Sequence, residues 1–458
     1  MQIPGGIQIQ VPDSLDLITP YVLLEQGDWF EDEIKFLRRI LRSGERIIDI
    51  GANYGTYAMT MAKAVGDGGA LWAFEPASST AQCLRASIEA NGFKHVVLEQ
   101  CALSGEPGTA RLALNANSEL NAITKDAAGG DSEEVPVSTL DACMDRFGWE
   151  RIDFMKIDAE GEEENILHGA GRFFERESPL VEFEYKAGAE VNTGLVEAFG
   201  RLGFSSYRLV PGLDVLVPFT AGTPADGYLL NLFCCKPDRA AELERRGILV
   251  QPDSLESARR QAIPLQPSHD WRNALAGEGW CRTLVPEWSD FLQKTPRPEF
   301  ESALALYFFS QDAGQPHALR VAAMEQALGG LRAACAQEPG GVSECTRARV
   351  AREFGLRQEA VAGLGALVNG IIAKRQVDHR SPFLLPMAGM SVPAELAGQW
   401  SAILAAAVEG LECMASFSSF YSVQASRGRL DLLRKIGIQS PSMSRREYLL
   451  GLRLGGKP

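Results

Sequence analysis

The sequence predicts an α/β fold over residues 46–237, with a doubly wound, mostly parallel sheet, followed by an all-α domain over residues 238–458. Two observations predict this division. Short apolar runs alternate with helical periodicity up to about residue 237, which is typical of a parallel sheet covered by helices. Beyond that point, apolar residues recur at helical spacing without strand alternation, for example from Thr346 to Ala373. The length of 458 residues suits two or three domains.

Residues 1–45 are predicted to form an N-terminal extension that contains an amphipathic helix from Asp28 to Leu41. Glu31, Asp32 and Glu33 fall in its first turn, where the helix dipole favours acidic side chains. We therefore expect these acids to stabilise the start of the helix. A direct role in binding a ligand is the alternative.

A first motif follows, Asp49-Ile50-Gly51-Ala52-Asn53-Tyr54-Gly55. A β-branched run ends in an acid, a loop of small residues comes next, and the helical pattern of Thr56–Val65 begins at once. Glycines in such a loop let a ligand approach the backbone, and a helix N-terminus offers unpaired N–H groups. The motif therefore predicts a binding loop, with a plain strand-to-helix turn as the alternative.

A second apolar run, Leu71–Phe74, ends in Glu75, which lies 20 residues beyond Gly55. An acid at the tip of the second strand accepts the hydroxyls of a ribose, so the spacing predicts a nucleoside cofactor. The G-x-G-x-x-G pattern of dinucleotide sites, which a dehydrogenase needs, is absent. Asp49 at the first strand tip suits a ligand with an amino-acid group, and we expect S-adenosylmethionine.

A second motif, Lys156-Ile157-Asp158-Ala159-Glu160-Gly161, closes another apolar strand. Its end delivers Lys156, Asp158 and Glu160 to the edge where open α/β sheets bind ligands. The fifth strand, Leu180–Phe183, also ends in an acid, Glu184. These groups are candidates for catalysis, or they form an ion-pair network that only shapes the pocket.

Both motifs resemble those of the FkbM family of S-adenosylmethionine-dependent methyltransferases, and the resemblance covers about residues 46–237. It implies a class I methyltransferase Rossmann-like fold, in which the last strand runs antiparallel between its neighbours. It also implies that Cys101 and Ala102, after the third strand, lie against the adenine. The expected cofactor-binding residues are Asp49, Gly51, Ala52, Asn53, Gly55, Glu75, Cys101 and Ala102.

Methyl transfer to a hydroxyl requires a positioned acceptor and a group that takes its proton. We expect Asp158 to be that base or to orient the acceptor. Lys156 would hold Asp158 ionised or stabilise a developing alkoxide, and Glu160 and Glu184 are the second candidates. Several carboxylates could hold a divalent ion, but nothing in the sequence fixes a coordination set, so no metal site is predicted.

Residues 104–138 are predicted to be an inserted hairpin or loop, with turn signals at Ser104–Gly108 and Gly129–Gly130. Its polar side chains could bind substrate hydroxyls or simply face solvent. The side chains in question are Asn115, Asn117, Ser118 and Asn121.

The formal charge of −14 is concentrated in residues 46–237, which hold 15 basic and 28 acidic residues. This balance does not favour nucleic acid, whose phosphates need Lys and Arg. It is compatible with a neutral or cationic substrate, and ordinary solubility explains it as well.

No apolar run approaches a transmembrane segment, residues 1–10 lack a signal-peptide pattern, and nine cysteines lack C-x-x-C spacing. We therefore expect a cytoplasmic protein with reduced thiols.

The resemblance implies O-methylation of a hydroxyl on a sugar, glycan or natural product, so the expected partner is a small-molecule or glycan acceptor. A non-catalytic scaffold that binds S-adenosylmethionine or a nucleotide is the alternative. Such a scaffold would keep the first loop without the acids of the second motif, which are present here. In either case, residues 238–458 could bind a protein partner or a second copy of the chain.

Overall fold

The computed structural model describes residues 1–124, 131–187, 190–220, 222 and 225–455. The predicted turn at Gly129–Gly130 lies outside these residues. The chain divides into two compact units. The first comprises Met1–Leu209, Pro218–Thr223 and Leu229–Ile248, and the second comprises Val210–Val217, Pro224–Tyr228 and Leu249–Pro458.

The strands, numbered along the chain, lie between residues 2 and 235. They are β1 Gln2–Ile3, β2 Ile7–Gln8, β3 Arg46–Ile50, β4 Ala70–Phe74, β5 Val96–Glu99, β6 Ala102–Leu103, β7 Gly108–Ala113, β8 Ala122–Thr124, β9 Ser132–Ser138, β10 Phe154–Ile157, β11 Leu180–Glu184, β12 Lys186–Ala187, β13 Glu190–Val191, β14 Ser205–Val210, β15 Val215–Pro218 and β16 Asn231–Cys235.

The helices of the first unit precede, separate and follow these strands. They are α1 Ile18–Gln26, α2 Asp32–Ile40, α3 Thr56–Val65, α4 Ser78–Asn91, α5 Leu140–Phe147, α6 Glu163–His168, α7 Gly171–Arg176, α8 Thr193–Arg201 and α9 Pro237–Arg245, with a 3₁₀ turn at Ser118–Leu120.

Seven strands of the first unit lie in one sheet in the order β14, β16, β11, β10, β3, β4, β5. Strands β11, β10, β3, β4 and β5 pair in parallel, and β16 runs antiparallel to both β11 and β14. The parallel strands end at one common edge, where a ligand site is expected. The order confirms the doubly wound, mostly parallel sheet and its antiparallel last strand.

The central strands carry apolar side chains on both faces, because helices cover both sides of a parallel sheet. Ile47 and Ile48 of β3 and Met155 of β10 have no exposed surface. On one side, α2 packs against α3, and its Ile34 and Phe36 side chains are fully buried, with the Phe36 ring 5.5 Å from that of Phe233 on β16. This helix begins at Asp32, four residues later than the sequence pattern indicated.

The insertion predicted over residues 104–138 contributes three strands to a small second sheet in the order β6, β9, β7, β8. Strands β7 and β9 pair antiparallel along six residue pairs, from Gly108 opposite Val137 to Ala113 opposite Ser132. The 3₁₀ turn Ser118–Leu120 lies between β7 and β8. The described residues of the insertion therefore form a hairpin with an added strand.

The second unit is helical over most of its length. Its helices are α10 Pro252–Arg259, α11 Trp271–Leu275, α12 Leu284–Lys294, α13 Pro298–Gln311, α14 His317–Gln337, α15 Ser343–Glu353, α16 Arg357–Lys374, α17 Trp400–Ala415, α18 Val423–Ile436 and α19 Pro441–Arg453, with 3₁₀ turns at Pro267–His269 and Ala394–Leu396.

The core of the second unit contains the buried rings of Trp271, Trp288 and Tyr307. The helical pattern from Thr346 to Ala373 is interrupted between α15 and α16, where Gly355 adopts a φ of +87° that ends the first helix. Within the described part of the chain, no helix combines the length and apolarity that crossing a membrane requires.

Candidate functional site

The loop after β3 touches the loop after β10 through Gly51. Gly51 has a φ of +78°, and a Cβ atom built there would lie 1.7 Å from the Asp158 carbonyl oxygen. Gly55, at φ +91°, starts α3 and lies against Leu84, whose Cδ1 would be 2.5 Å from such an atom. The backbone contact therefore requires glycine at position 51, whereas at position 55 the positive φ favours glycine and a Cβ atom would displace the Leu84 side chain. The contact brings the two motifs together at the sheet edge.

A cleft of about 1000 Å³, including the solvent at its mouth, opens at this edge. Nine of the twelve predicted site residues line it: Gly51, Ala52, Asn53, Glu75, Cys101, Ala102, Lys156, Asp158 and Glu160. The other three, Asp49, Gly55 and Glu184, do not belong to its described lining.

Glu75 follows β4 and is only 6% exposed. Its carboxylate accepts hydrogen bonds from the backbone N–H groups of Asn53 and Ala77, each at 2.9 Å. Burial raises the pKa of Glu75 to about 7. Glu75 therefore fixes the loop after β3 and presents a carboxylate to the cleft, as an acid that binds a ribose must.

A row of charges crosses three neighbouring strands. Lys156 on β10 stands opposite Asp49 on β3 and opposite Glu182 on β11. Burial raises the pKa of Asp49 to about 6 and that of Glu182 well above its ordinary value, although the Lys156 ammonium opposes both shifts. Burial disfavours the charge of Lys156, but nearby carboxylates outweigh it and raise the pKa of this lysine. Lys156 is therefore a buried cation at neutral pH.

At the rim, Lys156 Nζ donates to Asp158 Oδ2 at 2.5 Å, and the ammonium also lies 4.7 Å from the centre of the Tyr57 ring. Asp158, Glu160 and Glu184 each offer a carboxylate oxygen, and these oxygens lie within 4.8 Å of one another. Burial, followed by repulsion from Asp158, raises the pKa of Glu160 to about 8 and that of Glu184 to about 9. These two groups therefore retain protons near neutral pH, whereas Asp158 is paired with a cation.

Three carboxylates at this separation have the oxygen donors that a divalent cation prefers. One of them, Asp158, already faces the Lys156 ammonium. The expectation that no metal is bound stays a prediction.

Cys101 lines the cleft, and burial raises the pKa of its thiol to about 12, which suits a packing residue better than a nucleophile.

Several cleft residues were not assigned to the site from the sequence. Trp29, Glu31 and Tyr57 line the cleft, and the Tyr57 hydroxyl donates to Glu31. Glu31 precedes α2, but its side chain makes no hydrogen bond to the helix N-terminus. The prediction that Glu31 mainly stabilises the helix start is therefore wrong, because its carboxylate points into the cleft instead.

The polar cluster of the insertion divides into two kinds of residue. Ser118 and Asn121 line the cleft. Asn117 accepts from the Ile18 N–H at 2.9 Å, and the Asn115 side chain donates to the Leu120 carbonyl at 2.5 Å. Ser118 and Asn121 are also engaged within the protein: the Ser118 hydroxyl donates to Asn53 Oδ1 at 2.9 Å, and Asn121 Oδ1 accepts from the Asn115 N–H at 2.7 Å. All four side chains therefore help to hold this part of the insertion, and two of them also line the cleft.

The strand order, the acid after β4 and the glycine-bounded loop at the cleft define a class I S-adenosylmethionine-dependent methyltransferase. Residues 49–205 match the family model described as the methyltransferase FkbM domain. This segment is a methyltransferase domain of the FkbM family, and its cofactor is S-adenosylmethionine. The residues from Met1 to Ile48, α1 and α2 among them, precede the matched segment.

Solved structures of other methyltransferases are similar to the chain at low identity. Precorrin-6y C5,15-methyltransferase from Geobacter metallireducens is 12% identical, covering 44% of this chain and 86% of its own, with a TM-score of 0.28. An S-adenosylmethionine-dependent O-methyltransferase from Thermotoga maritima is 15% identical, and the match covers 44% of this chain and 64% of its own, with a TM-score of 0.24. Fibrillarin from Aeropyrum pernix with bound S-adenosylmethionine is 14% identical, and the match covers 42% of this chain and 67% of its own, with a TM-score of 0.26. No curated protein sequence matches the chain.

Proposed function

We propose that this protein transfers the methyl group of S-adenosylmethionine to a hydroxyl of a sugar, glycan or natural product. The observation that carries the proposal is the Asp158–Lys156 ion pair at the end of β10. Its Nζ to Oδ2 distance is 2.5 Å, and the Asp158 backbone lies against Gly51 of the cofactor loop. A carboxylate in this position is adjacent to both the cofactor site and the open cleft.

The cofactor supplies an electrophilic methyl group, and the protein has to orient the acceptor and remove its proton. Asp158 is about one-third exposed at its side chain, so an acceptor hydroxyl can reach it. Lys156, almost fully buried beneath it, holds the carboxylate in place and offsets its charge. Glu160 and Glu184 flank Asp158 as protonated groups that can donate hydrogen bonds to the acceptor.

The charge of the cleft disfavours an anionic acceptor. Among the described residues that line it, six are acids and one, Lys156, is a base. A phosphorylated acceptor would meet repulsion there, because recognition of phosphate depends on Lys and Arg. Ser118 and Asn121 add neutral groups that can exchange hydrogen bonds with sugar hydroxyls.

Methyl transfer from isotope-labelled S-adenosylmethionine to a panel of sugars, glycans and hydroxylated natural products, followed by mass spectrometry, identifies the acceptor. With that acceptor, Asp158→Asn keeps the shape and removes the basicity, so kcat should fall about 100- to 10,000-fold. Calorimetry should show nearly unchanged affinity for S-adenosylhomocysteine.

Glu184→Gln is the matched control, because it changes a neighbouring carboxyl in the same cluster and should lower kcat less. If Asp158→Asn retains near-normal turnover while Glu160→Gln or Glu184→Gln abolishes it, the base is one of those residues instead. If all three variants remain active, these acids are walls of the pocket, and the proton leaves by another route.

A further inference from the structure

Glu31 occupies the cleft although it lies outside the segment that matches the FkbM model. Its Oε2 atom accepts from the hydroxyl of Tyr57 on α3 and from Asn231 Nδ2 of β16, the latter at 3.3 Å. Two separate elements thus orient this carboxylate, while the start of its own helix does not use it. Such an arrangement fixes the side chain at the cleft surface.

Acidic side chains outnumber basic ones around Glu31. Lys156 is the shared neighbour of four carboxylates, those of Asp158, Asp49, Glu182 and Glu31. Neither carboxylate oxygen of Asp49 has a hydrogen-bond partner within the described chain, and this side chain has no exposed surface. One ammonium therefore faces four acidic side chains, and Lys156 is the one basic residue among the described residues that line the cleft. Burial raises the pKa of Glu31, and the Lys156 ammonium opposes that shift.

We infer that Glu31 binds the positive charge carried by the methionyl half of S-adenosylmethionine, either its α-ammonium or its sulfonium. Trp29 and Tyr57 line the same cleft, and the faces of aromatic rings attract cations. The inference depends on the cofactor alone and not on the proposed methyl acceptor, so binding measured without any acceptor tests it separately.

Calorimetry with three nucleosides distinguishes the two charges. S-adenosylmethionine carries both, S-adenosylhomocysteine carries only the ammonium, and 5′-methylthioadenosine carries neither. Glu31→Gln should weaken binding of S-adenosylmethionine about 10- to 100-fold, as expected for loss of a charge-assisted contact. Binding of 5′-methylthioadenosine should not change. An equal loss for S-adenosylhomocysteine assigns the ammonium, and a loss confined to S-adenosylmethionine assigns the sulfonium.

Asp32→Asn is the matched control. It removes a charge from the same helix turn, where Asp32 contacts the exposed Lys35 at 3.3 Å, and it should change none of the three affinities. Tyr57→Phe removes the hydroxyl that orients Glu31. It should weaken binding of the same nucleosides as Glu31→Gln, by a smaller factor. The inference is overturned if Glu31→Gln leaves S-adenosylmethionine binding unchanged, or if it weakens 5′-methylthioadenosine equally, since the role would then be structural.

Discussion

At the scale of single residues, Gly51 is where the two motifs depend on each other. A methyl group at this position would lie 1.7 Å from the backbone carbonyl oxygen of Asp158, which cannot move aside as a flexible side chain could. Gly51→Ala should therefore lower the free energy of unfolding by about 3 kcal/mol or more, through strain and displacement of both loops. It should also abolish detectable binding of S-adenosylhomocysteine. Urea unfolding and calorimetry measure the two effects.

Gly92→Ala is the control for Gly51→Ala, because it places a side chain at a positive φ without creating a clash. Gly92 ends α4 at a φ of +67°, and nothing lies within 4 Å of a Cβ atom built there. Its replacement should cost about 1–2 kcal/mol, the penalty for a left-handed residue with a side chain. If Gly51→Ala is no more destabilising than Gly92→Ala, the two loops do not approach each other as closely as described.

Glu184 gives a pH dependence with a definite sign. Its folded-state pKa is raised from 4.5 to about 9, chiefly by burial. Between those values the unfolded chain loses this proton more readily than the folded chain does, so stability falls as pH rises. Glu184→Gln removes this contribution. The difference in free energy of unfolding between the variant and the unmodified protein should therefore grow in favour of the variant by about 1–4 kcal/mol from pH 5 to pH 8.5.

Urea unfolding at the two pH values provides the measurement. Glu134→Gln, which alters an exposed carboxylate on β9, should leave the pH dependence unchanged. A Glu184→Gln variant whose stability follows the same pH curve as the unmodified protein would show that Glu184 ionises normally in the folded chain.

At the scale of elements, the sequence was most informative where local pattern and burial agree. Strands β3, β4, β10 and β11 are short, mostly apolar runs close to the predicted positions. Glu75 directly follows β4, Asp158 directly follows β10, and β11 ends at Glu184. Helix α1 was not predicted, because its residues from Ile18 to Leu23 are all buried and leave no amphipathic periodicity to detect.

The site was predictable as far as it follows the ends of strands. Lys156, Asp158 and Glu160 were found because one strand tip carries them together. Glu182 was not assigned to the site from the sequence. Its position opposite Lys156 depends on the register between β11 and β10, and a sequence does not reveal that register. Glu31 was assigned to its own helix for a similar reason, since its partners are distant in sequence.

At the scale of the whole molecule, the predicted boundary after residue 237 stays a prediction, and the division into compact units suggests where to test it. Every described residue that lines the cleft falls between Thr19 and Glu162, inside the first unit. The segment Val210–Val217 belongs to the second unit, where Leu216 accepts from the Val250 N–H at 2.9 Å. A cut after Ile248 therefore keeps the cleft and removes the partners that this segment has among residues 249–458.

We expect a chain of residues 1–248 to bind S-adenosylhomocysteine within about threefold of the full chain's affinity, because it retains the whole cleft. Val210, Val215 and Val217, which are 0–3% exposed in the full chain, lose their apolar neighbours in this truncation. The fragment should therefore bind a hydrophobic dye and self-associate, unlike the full chain. Calorimetry, dye fluorescence and light scattering test these outcomes. A fragment that is unfolded and fails to bind would show that residues 249–458 are required for the methyltransferase domain to fold.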